Sequence, residues 1–391
     1  MSATTVEPVE PRENDRARVD PRVKSRWIVS APFDLVWFFG GSIASLAMVL
    51  AFFAMRVPIM MLVWIGILVF DGPHMAAAYT RTYVDRSEWR ARPRVLITPL
   101  LFGFLLGPLM LFLDVVTKSE WPFLAFLGGV TFYAYFHVVR QHYGFLALYK
   151  SKAGERSRVD FLVDKVTLYV GCWAPYGWFL INHPKARVLV RLPAELGLWE
   201  PIVSAIIVVA YLASLAAFLL RALRSKPLNP QKIGYFLITV LLYAAAYFWV
   251  ARYEPVYSRS TGPDQDFLLL SLVIAVFHNV QYVGLVWFHN KNRYAERRAE
   301  HGLARWVNRS IAPYLFACAA FSFGVYFLIA CATGVYPGCQ AFLDRRLYGS
   351  ITVNQLGLSL WWGVALHHYY LDQKIWRIRG DAELRKNLGL A

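Results

Sequence analysis

About ten apolar stretches dominate this chain, and each is close to the ~20 residues that an α-helix needs to cross ~30 Å of hydrocarbon. They lie at 33–55, 58–80, 95–116, 122–149, 161–182, 201–221, 233–251, 266–289, 311–333 and 350–373. Of the 391 residues, 57% are hydrophobic and only 17% are charged, which is rare in a soluble domain of this size. Because backbone polar groups in lipid must be bonded internally, the stretches predict an all-α, multi-pass transmembrane helical bundle.

Basic residues are concentrated in the segments before the first stretch and after every second one. Five clusters, at 81–94, 150–158, 221–226, 291–298 and 374–379, follow spans two, four, six, eight and ten. By the positive-inside rule, both termini are therefore predicted to be cytoplasmic. Topology accounts for the net charge of +16, so nucleic acid is not expected as a partner.

Three regions are predicted. Residues 1–31 are rich in Pro and charge, which predicts a disordered basic cytoplasmic tail. Residues 32–378 form a single polytopic membrane domain, and residues 379–391 form a cytoplasmic C-terminal tail. No small-residue cleavage site follows the first apolar stretch, so no cleaved signal is predicted. We expect the protein in the cell membrane, a bacterial-type inner membrane or its equivalent.

The motifs of the commonest soluble enzymes are missing from the sequence. It contains no Gly-rich phosphate loop, no Ser-centred nucleophile elbow and no HExxH. The four cysteines, at 172, 318, 331 and 339, have no spacing typical of a metal site. Other residue types must therefore carry any chemistry.

Histidines are the unusual feature of the apolar stretches, since an ionisable side chain in hydrocarbon is costly and indicates a functional site. Six lie deep in spans two, four, eight and ten: His74, His137, His142, His278, His367 and His368. The charge pattern predicts that these four spans cross the membrane in the same direction, so the six histidines lie on the same side of it. Each could instead bond a neighbouring helix, but six on four co-oriented helices favour a metal centre formed by these residues.

Two aspartates lie on the same helical faces as these histidines. Asp71 precedes His74 by three residues, and Asp372 follows His368 by four. Carboxylates often orient metal-bound imidazoles, so the two aspartates are predicted as supporting residues or as ligands. They could equally be counter-ions for nearby basic residues. The Gly72-Pro73 pair predicts a local distortion of the helix just before His74.

Two further residues are weaker candidates. His289 is two residues from Lys291, near the expected headgroup level, and is a possible additional ligand or supporting residue. Arg140 lies between two histidines of span four. Its guanidinium could bind a substrate carboxylate or headgroup, or it could neutralise an aspartate such as Asp71.

The number of imidazoles restricts the chemistry. Imidazole suits Zn, Cu, Fe and Ni, but six exceed the three protein ligands typical of a catalytic zinc site. One or two metal ions with a histidine-rich surrounding are therefore predicted. Beside hydrocarbon, the natural task of such a centre is activation of dioxygen against a lipid C–H or C=C bond, and iron is the usual metal.

Short motifs add a resemblance to known families. HVVRQH, from His137 to His142, resembles the first histidine box of integral-membrane desaturases and hydroxylases, and His367-His368 resembles their later paired histidines. The tripeptide ending in His74 (GPH) resembles a motif of the bacterial Brp/Blh membrane carotene dioxygenases. This resemblance implies a non-haem iron oxygenase for a lipid or isoprenoid, with the histidines as iron ligands.

Two other functions compete with this hypothesis. The histidines could axially ligate haem in a membrane electron carrier, or they could form a relay with Asp and Arg in a proton-coupled transporter. The one-sided distribution of the histidines argues against two stacked haems and against a relay that crosses the membrane. An oxygenase that needs electrons would take them from a separate soluble donor, because no flavin or ferredoxin motif is visible.

Overall fold

A computed structural model describes residues 26–155, 157–189, 192–193, 196–225, 227–252, 263–296, 298–332, 344–378 and 380–390. Most of the tail predicted to be disordered, residues 1–25, lies outside the described residues. Its last residues are held against the bundle. There the backbone N–H of Ile28 donates to Asp34 Oδ2 at 2.7 Å, and the Ile28 side chain is buried.

Helices form almost all of the described structure. In chain order they are α1 (Ala31–Phe53), α2 (Ile59–Arg81), α3 (Arg86–Ala91), α4 (Pro93–Thr117), α5 (Trp121–Lys152), α6 (Arg158–Asn182), α7 (Pro184–Leu189), α8 (Trp199–Arg224), α9 (Pro230–Trp249), α10 (Pro263–Arg293), α11 (Ala304–Val307), α12 (Ile311–Ala332), α13 (Val353–Ile375) and α14 (Ala382–Asn387). Short 3₁₀ turns lie at Val250–Arg252 and Ala299–His301. Two short strands, β1 (Arg346–Tyr348) and β2 (Ile351–Thr352), pair antiparallel before α13.

Within the described residues, eight helices are long and apolar enough to cross a membrane: α1, α2, α4, α5, α8, α9, α10 and α12. They coincide with eight of the ten predicted spans and confirm the all-α membrane bundle. The other two predicted spans are also single helices, α6 with 25 residues and α13 with 23. Their more polar sequences, which include Asp164 in α6 and Asp372 in α13, set them apart from the eight.

Helix α10 is the central helix of the bundle. Of its most apolar stretch, 83% is buried inside the protein, against 50% or less for the other seven candidate spans. It packs against α1, α2 and α5, while α8 exposes large apolar side chains such as Ile206 and Val209. Because lipid solvates apolar side chains, such exposure is expected at the periphery of a membrane bundle. Most side chains in this stretch of α10 therefore face other parts of the protein.

The position of α13 depends on a close approach to α4. A Cβ atom added to Gly363 would lie 2.6 Å from the carbonyl oxygen of Gly103, so the two backbones are in direct contact. Small residues allow such close packing of membrane helices. Helix α13 begins at a capping box, in which Thr352 Oγ1 accepts from the N–H of Gln355 and Gln355 Oε1 accepts from the N–H of Thr352.

Helix α2 changes its winding just before its histidine. Residues Gly66–Asp71 form a π-helical segment, and the α-helix resumes at Gly72. This confirms the distortion predicted from Gly72-Pro73, since proline lacks the N–H that an uninterrupted α-helix requires. Such π segments occur frequently at functional sites.

The predicted C-terminal tail contains a helix that is docked on the bundle. Leu384 of α14 and the following Leu388 are buried. Lys152, at the end of α5, donates to the carbonyl oxygen of Gly389 at 2.9 Å, and Arg293 of α10 pairs with Glu383 at 2.7 Å. The tail thus covers the ends of α5 and α10.

Candidate metal centre

Four helices each place one histidine at a common point inside the bundle. His74 of α2, His137 of α5, His278 of α10 and His368 of α13 are all at most 7% exposed. His74 Nε2 lies 2.6 Å from His368 Nε2, and the ring centroids of His137 lie 5.2 Å from His278 and 5.4 Å from His368. The structure thus brings together four of the six histidines that the sequence predicts as ligands.

Asp372 completes the cluster from α13. Its Oδ2 lies 3.6 Å from His137 Nε2 and 3.4 Å from His368 Nε2. The donors form two overlapping groups, His74–His137–His278 and His137–His368–Asp372, with ligand atoms within 4.8 Å of one another in each. Two ligand atoms bound at ~2.1 Å to one ion are at most ~4.2 Å apart. Either group can therefore hold a metal ion after sub-ångström adjustments.

The buried nitrogens of this cluster lack other partners. His137 Nε2 and His278 Nδ1 are buried and have no hydrogen-bond partner among the described residues. Buried polar atoms in native proteins are nearly always paired, because an unpaired one loses its hydration without compensation. A metal ion bound by these nitrogens would remove that cost, so the donor set fits a metal.

Aromatic side chains fix the geometry of the cluster. The Tyr282 hydroxyl donates to Asp372 Oδ1, and its ring stacks on His74 with centroids 4.6 Å apart. Tyr369 stacks on His137 at 4.3 Å. Tyr282 follows His278 by one helical turn, and this spacing is the sequence signal that relates Tyr282 to the site. Among 22 tyrosines, that spacing was not sufficient.

Asp71 has different partners from those predicted. Its carboxylate accepts hydrogen bonds from the Tyr326 hydroxyl and from Asn279 Nδ2, the latter at 3.4 Å, and it has no bond to His74. Asp71 lies outside both candidate ligand groups found in the described residues. A role toward a metal remains a prediction, whereas its position beside the cluster is observed.

His142 and His367 lie next to the cluster and bond to tyrosines. His142 Nδ1 is 3.1 Å from the Tyr235 hydroxyl, and its ring is 6.4 Å from that of His278. Both nitrogens of His367 are engaged, at 3.1 Å by Tyr79 and at 2.6 Å by Tyr83. Adjacent helical residues point about 100° apart, so His367 and His368 face different neighbours.

The two weaker candidates lie farther away. His289 Nδ1 is 3.0 Å from Asn290 Oδ1, and its ring meets the edge of Trp376 at 5.8 Å. Arg140 is exposed on α5 and forms no hydrogen bond or ion pair with any residue that the structure describes. Its predicted contact with a substrate headgroup remains a prediction.

A cavity of about 380 Å³ borders the histidine cluster. His74 and His278 form part of its wall, and most of the remaining wall is apolar or aromatic. The apolar lining includes Val63, Tyr135, Val138, Leu272, Trp361 and Trp362. Cavities of this size and character are typical of small-molecule sites. The arrangement can therefore hold an apolar molecule directly beside a metal ion.

Comparisons with known proteins give no relative for this chain: no protein-family model, no curated protein and no solved structure matches it. The donor atoms, their burial and the cavity beside them are therefore the features that indicate a function.

Proposed function

We propose that this protein is an integral-membrane non-haem iron enzyme, an oxygenase or desaturase, that acts on a lipid or isoprenoid in the cell membrane. One observation carries the proposal. Four buried histidines and Asp372 converge from four helices beside an apolar cavity, and two of them, His74 and His278, line that cavity. This juxtaposes a metal site with space for a hydrocarbon chain, which is the combination that oxidation of a lipid requires.

The composition of the second ligand group supports iron. His137, His368 and Asp372 supply two imidazoles and one carboxylate, the set that holds non-haem Fe(II) with open positions in many oxygenases. His74 and His278 form the other candidate group together with His137. Because a neutral imidazole offers one acceptor nitrogen, His137 would hold an ion in one group at a time. When bound, iron would supply the one-electron chemistry that lets dioxygen react with an unactivated C–H or C=C bond.

The surrounding residues hold the centre and keep it dry. Tyr282 fixes Asp372 through its hydroxyl, and Tyr369 and Tyr282 pack against the faces of two imidazoles. Residues that are locked in this way keep ligands in place without reorganisation. The apolar cavity wall excludes water and binds a hydrocarbon chain beside His74 and His278.

Electrons, where the reaction needs them, would come from a soluble donor at the predicted cytoplasmic end. Trp376 follows α13 and is half-buried, and its Nε1 donates to the Tyr282 hydroxyl at 3.4 Å. The Arg81 guanidinium lies 4.3 Å from the centroid of the Trp376 ring. Tyr282 and Trp376 thus connect Asp372 to the end of the bundle.

The spacing of the two closest nitrogens disfavours the haem alternative. Two histidines that held one haem would need room for its iron between their nitrogens, which at metal–nitrogen distances of ~2 Å means a separation of ~4 Å. His74 Nε2 and His368 Nε2 are only 2.6 Å apart. At this distance the two nitrogens leave no room for a haem iron between them.

Metal analysis of the purified protein tests the proposal. We expect iron to co-purify and His137→Ala, which removes the donor shared by both groups, to lower iron content more than any other single change. His142→Ala is the matched control, because His142 is on the same helix and equally buried but lies outside both groups. Absence of bound metal in the unaltered protein, a Soret band of haem, or equal iron in both variants would contradict the proposal.

A further inference from the structure

Three of the polar side chains in the largely apolar wall of the cavity bond to one another: Asp71, Asn279 and Tyr326. Tyr326 donates its hydroxyl hydrogen to Asp71 Oδ2, and Asn279 donates from Nδ2 to Asp71 Oδ1 at 3.4 Å. Both donors point at one carboxyl group although they come from α12 and α10. The three side chains, here called the polar trio, therefore form a single hydrogen-bonding group on the cavity wall.

The polar trio lies next to the histidine cluster. Asp71 precedes His74 by three residues, about one helical turn, and Asn279 directly follows His278. All of these residues line the same cavity. A molecule that bonds to Asp71 would therefore have its adjoining carbon atoms beside the imidazoles.

Asp71 has no cationic partner among the residues that the structure describes. Among the described residues, Asp71 forms no ion pair, and neither Lys nor Arg lines the cavity. A carboxylate has about four lone-pair sites. The hydrogen bonds from Tyr326 and Asn279 occupy two of those of Asp71. Burying a polar group without full compensation is costly, so the remaining sites complement a donor that enters from the cavity.

We propose that the cavity binds an apolar molecule that carries a hydroxyl group, and that this hydroxyl donates its hydrogen bond to Asp71. This inference rests on the proposed function only in taking the cavity as the substrate site. It specifies the substrate as a long-chain or isoprenoid alcohol rather than a plain hydrocarbon. It also places oxidation within a few carbon atoms of the hydroxyl.

Photo-crosslinking in lipid nanodiscs tests this specificity. The probes are a diazirine-bearing C12 alcohol and its methyl ether, which have nearly the same shape but differ in the hydrogen-bond donor. We expect the alcohol to label the peptide that contains Trp361 and Trp362 about fivefold more than the ether, the ratio that one net hydrogen bond supplies. Equal labelling by the two probes would overturn the proposal.

Variants separate recognition from packing. Asp71→Leu should bring the alcohol-to-ether ratio close to one. If that variant does not fold, Asp71→Asn, which keeps the shape of the side chain, takes its place and should lower the ratio. The matched control is Thr131→Val. Thr131 also lines the cavity, but its hydroxyl already donates to the carbonyl oxygen of Leu127 at 2.8 Å, so the ratio should not change.

A purely structural role for the polar trio predicts a different result, since folded Asp71 variants would then keep the alcohol-to-ether ratio of the unaltered protein. That outcome would overturn the inference.

Iron content is measured on the same samples. Loss of alcohol preference with iron retained supports the role of Asp71, whereas alcohol preference without any bound metal would defeat only the iron proposal.

Discussion

His74 Nε2 and His368 Nε2 lie 2.6 Å apart, although 294 residues separate them in the chain. The two nitrogens can face each other so closely only if at most one of them carries a proton. Packing of α13 against α4, of α2 against α10, and of α2 directly against α13 determines this approach. The contact between these two nitrogens therefore depends on correct packing of helices that are far apart in the chain.

Adjacent histidines on α13 should respond differently to substitution. His368→Ala removes a candidate ligand and should lower the iron content of the purified protein at least severalfold. His367→Ala should leave iron content nearly unchanged, because both nitrogens of His367 are bonded to tyrosines. Elemental analysis of the two variants checks this, and a larger loss from His367→Ala would reverse our assignment of the ligand.

Tyr282→Phe should weaken metal binding without unfolding the protein. Loss of the hydroxyl frees Asp372 to rotate, and removal of such a supporting bond typically costs about 10–100-fold in metal affinity. Competition with a calibrated chelator measures the affinity. Tyr314→Phe serves as control, since Tyr314 is equally buried but donates to the backbone carbonyl oxygen of Val283 at 2.9 Å. An equal effect of both variants would count against a role for Tyr282 at the centre.

Gly363→Ala should destabilise the bundle. The added Cβ would lie 2.6 Å from the carbonyl oxygen of Gly103, so α4 and α13 must separate, at a cost of about 1–3 kcal/mol. Gly144→Ala is the control, because nothing lies within 4 Å of its Cβ position and alanine favours the helix. Thermal unfolding in detergent should show a lower midpoint for the first variant only.

The loop after α2 should give a pH-dependent contribution to stability. Burial acts to raise the pKa of Asp85, but hydrogen bonds from Ser87 and the charge of Arg293 outweigh it and hold the pKa below its ordinary 3.8. A depressed pKa stabilises the fold above pH 3.8, and this stabilisation disappears as pH falls through the lower, folded-state value.

Asp85→Asn should therefore lower the free energy of unfolding by about 1–2 kcal/mol at pH 7, and the loss should become smaller as pH falls below 3.8. Asparagine is as good a helix N-cap as aspartate, so the loss reports the pairing with Arg293 at 3.2 Å and with the Tyr294 hydroxyl at 2.9 Å. Asp381→Asn, at the N-cap of α14, should have little effect in either pH range. A pH-independent loss for Asp85→Asn would contradict the ionic explanation.

Reporter fusions should establish the topology. Fusions after residues 94 and 120 are expected on opposite sides of the membrane, with the first in the cytoplasm. A second pair, after residues 155 and 196, tests whether the polar helix α6 crosses the membrane, and we expect these two also on opposite sides. If the fusions after residues 94 and 120 were on the same side, the predicted topology, including the cytoplasmic position of both termini, would be wrong.

The sequence predicted the elements of the bundle because length and apolarity are local properties. It also predicted His74, His137, His278, His368 and Asp372, since buried ionisable groups in apolar helices are conspicuous. The rotation of each helix about its axis was not predictable. That rotation depends on contacts such as Gly363 with Gly103, and it decides which of two neighbouring histidines faces the centre. For the same reason, Tyr282 could not be distinguished from purely structural tyrosines.

The π-helical segment Gly66–Asp71 divides α2 into two separately adjustable parts. Of the residues in the cavity wall, Val63 precedes this segment and Ile67 lies within it, whereas His74 follows it. Deleting one residue there would turn the upstream part by about 100° and leave the downstream part, with His74, in register. A single-residue change in length can thus reshape the cavity while the histidine cluster keeps its position, which gives this architecture a simple route to accepting molecules of a different shape.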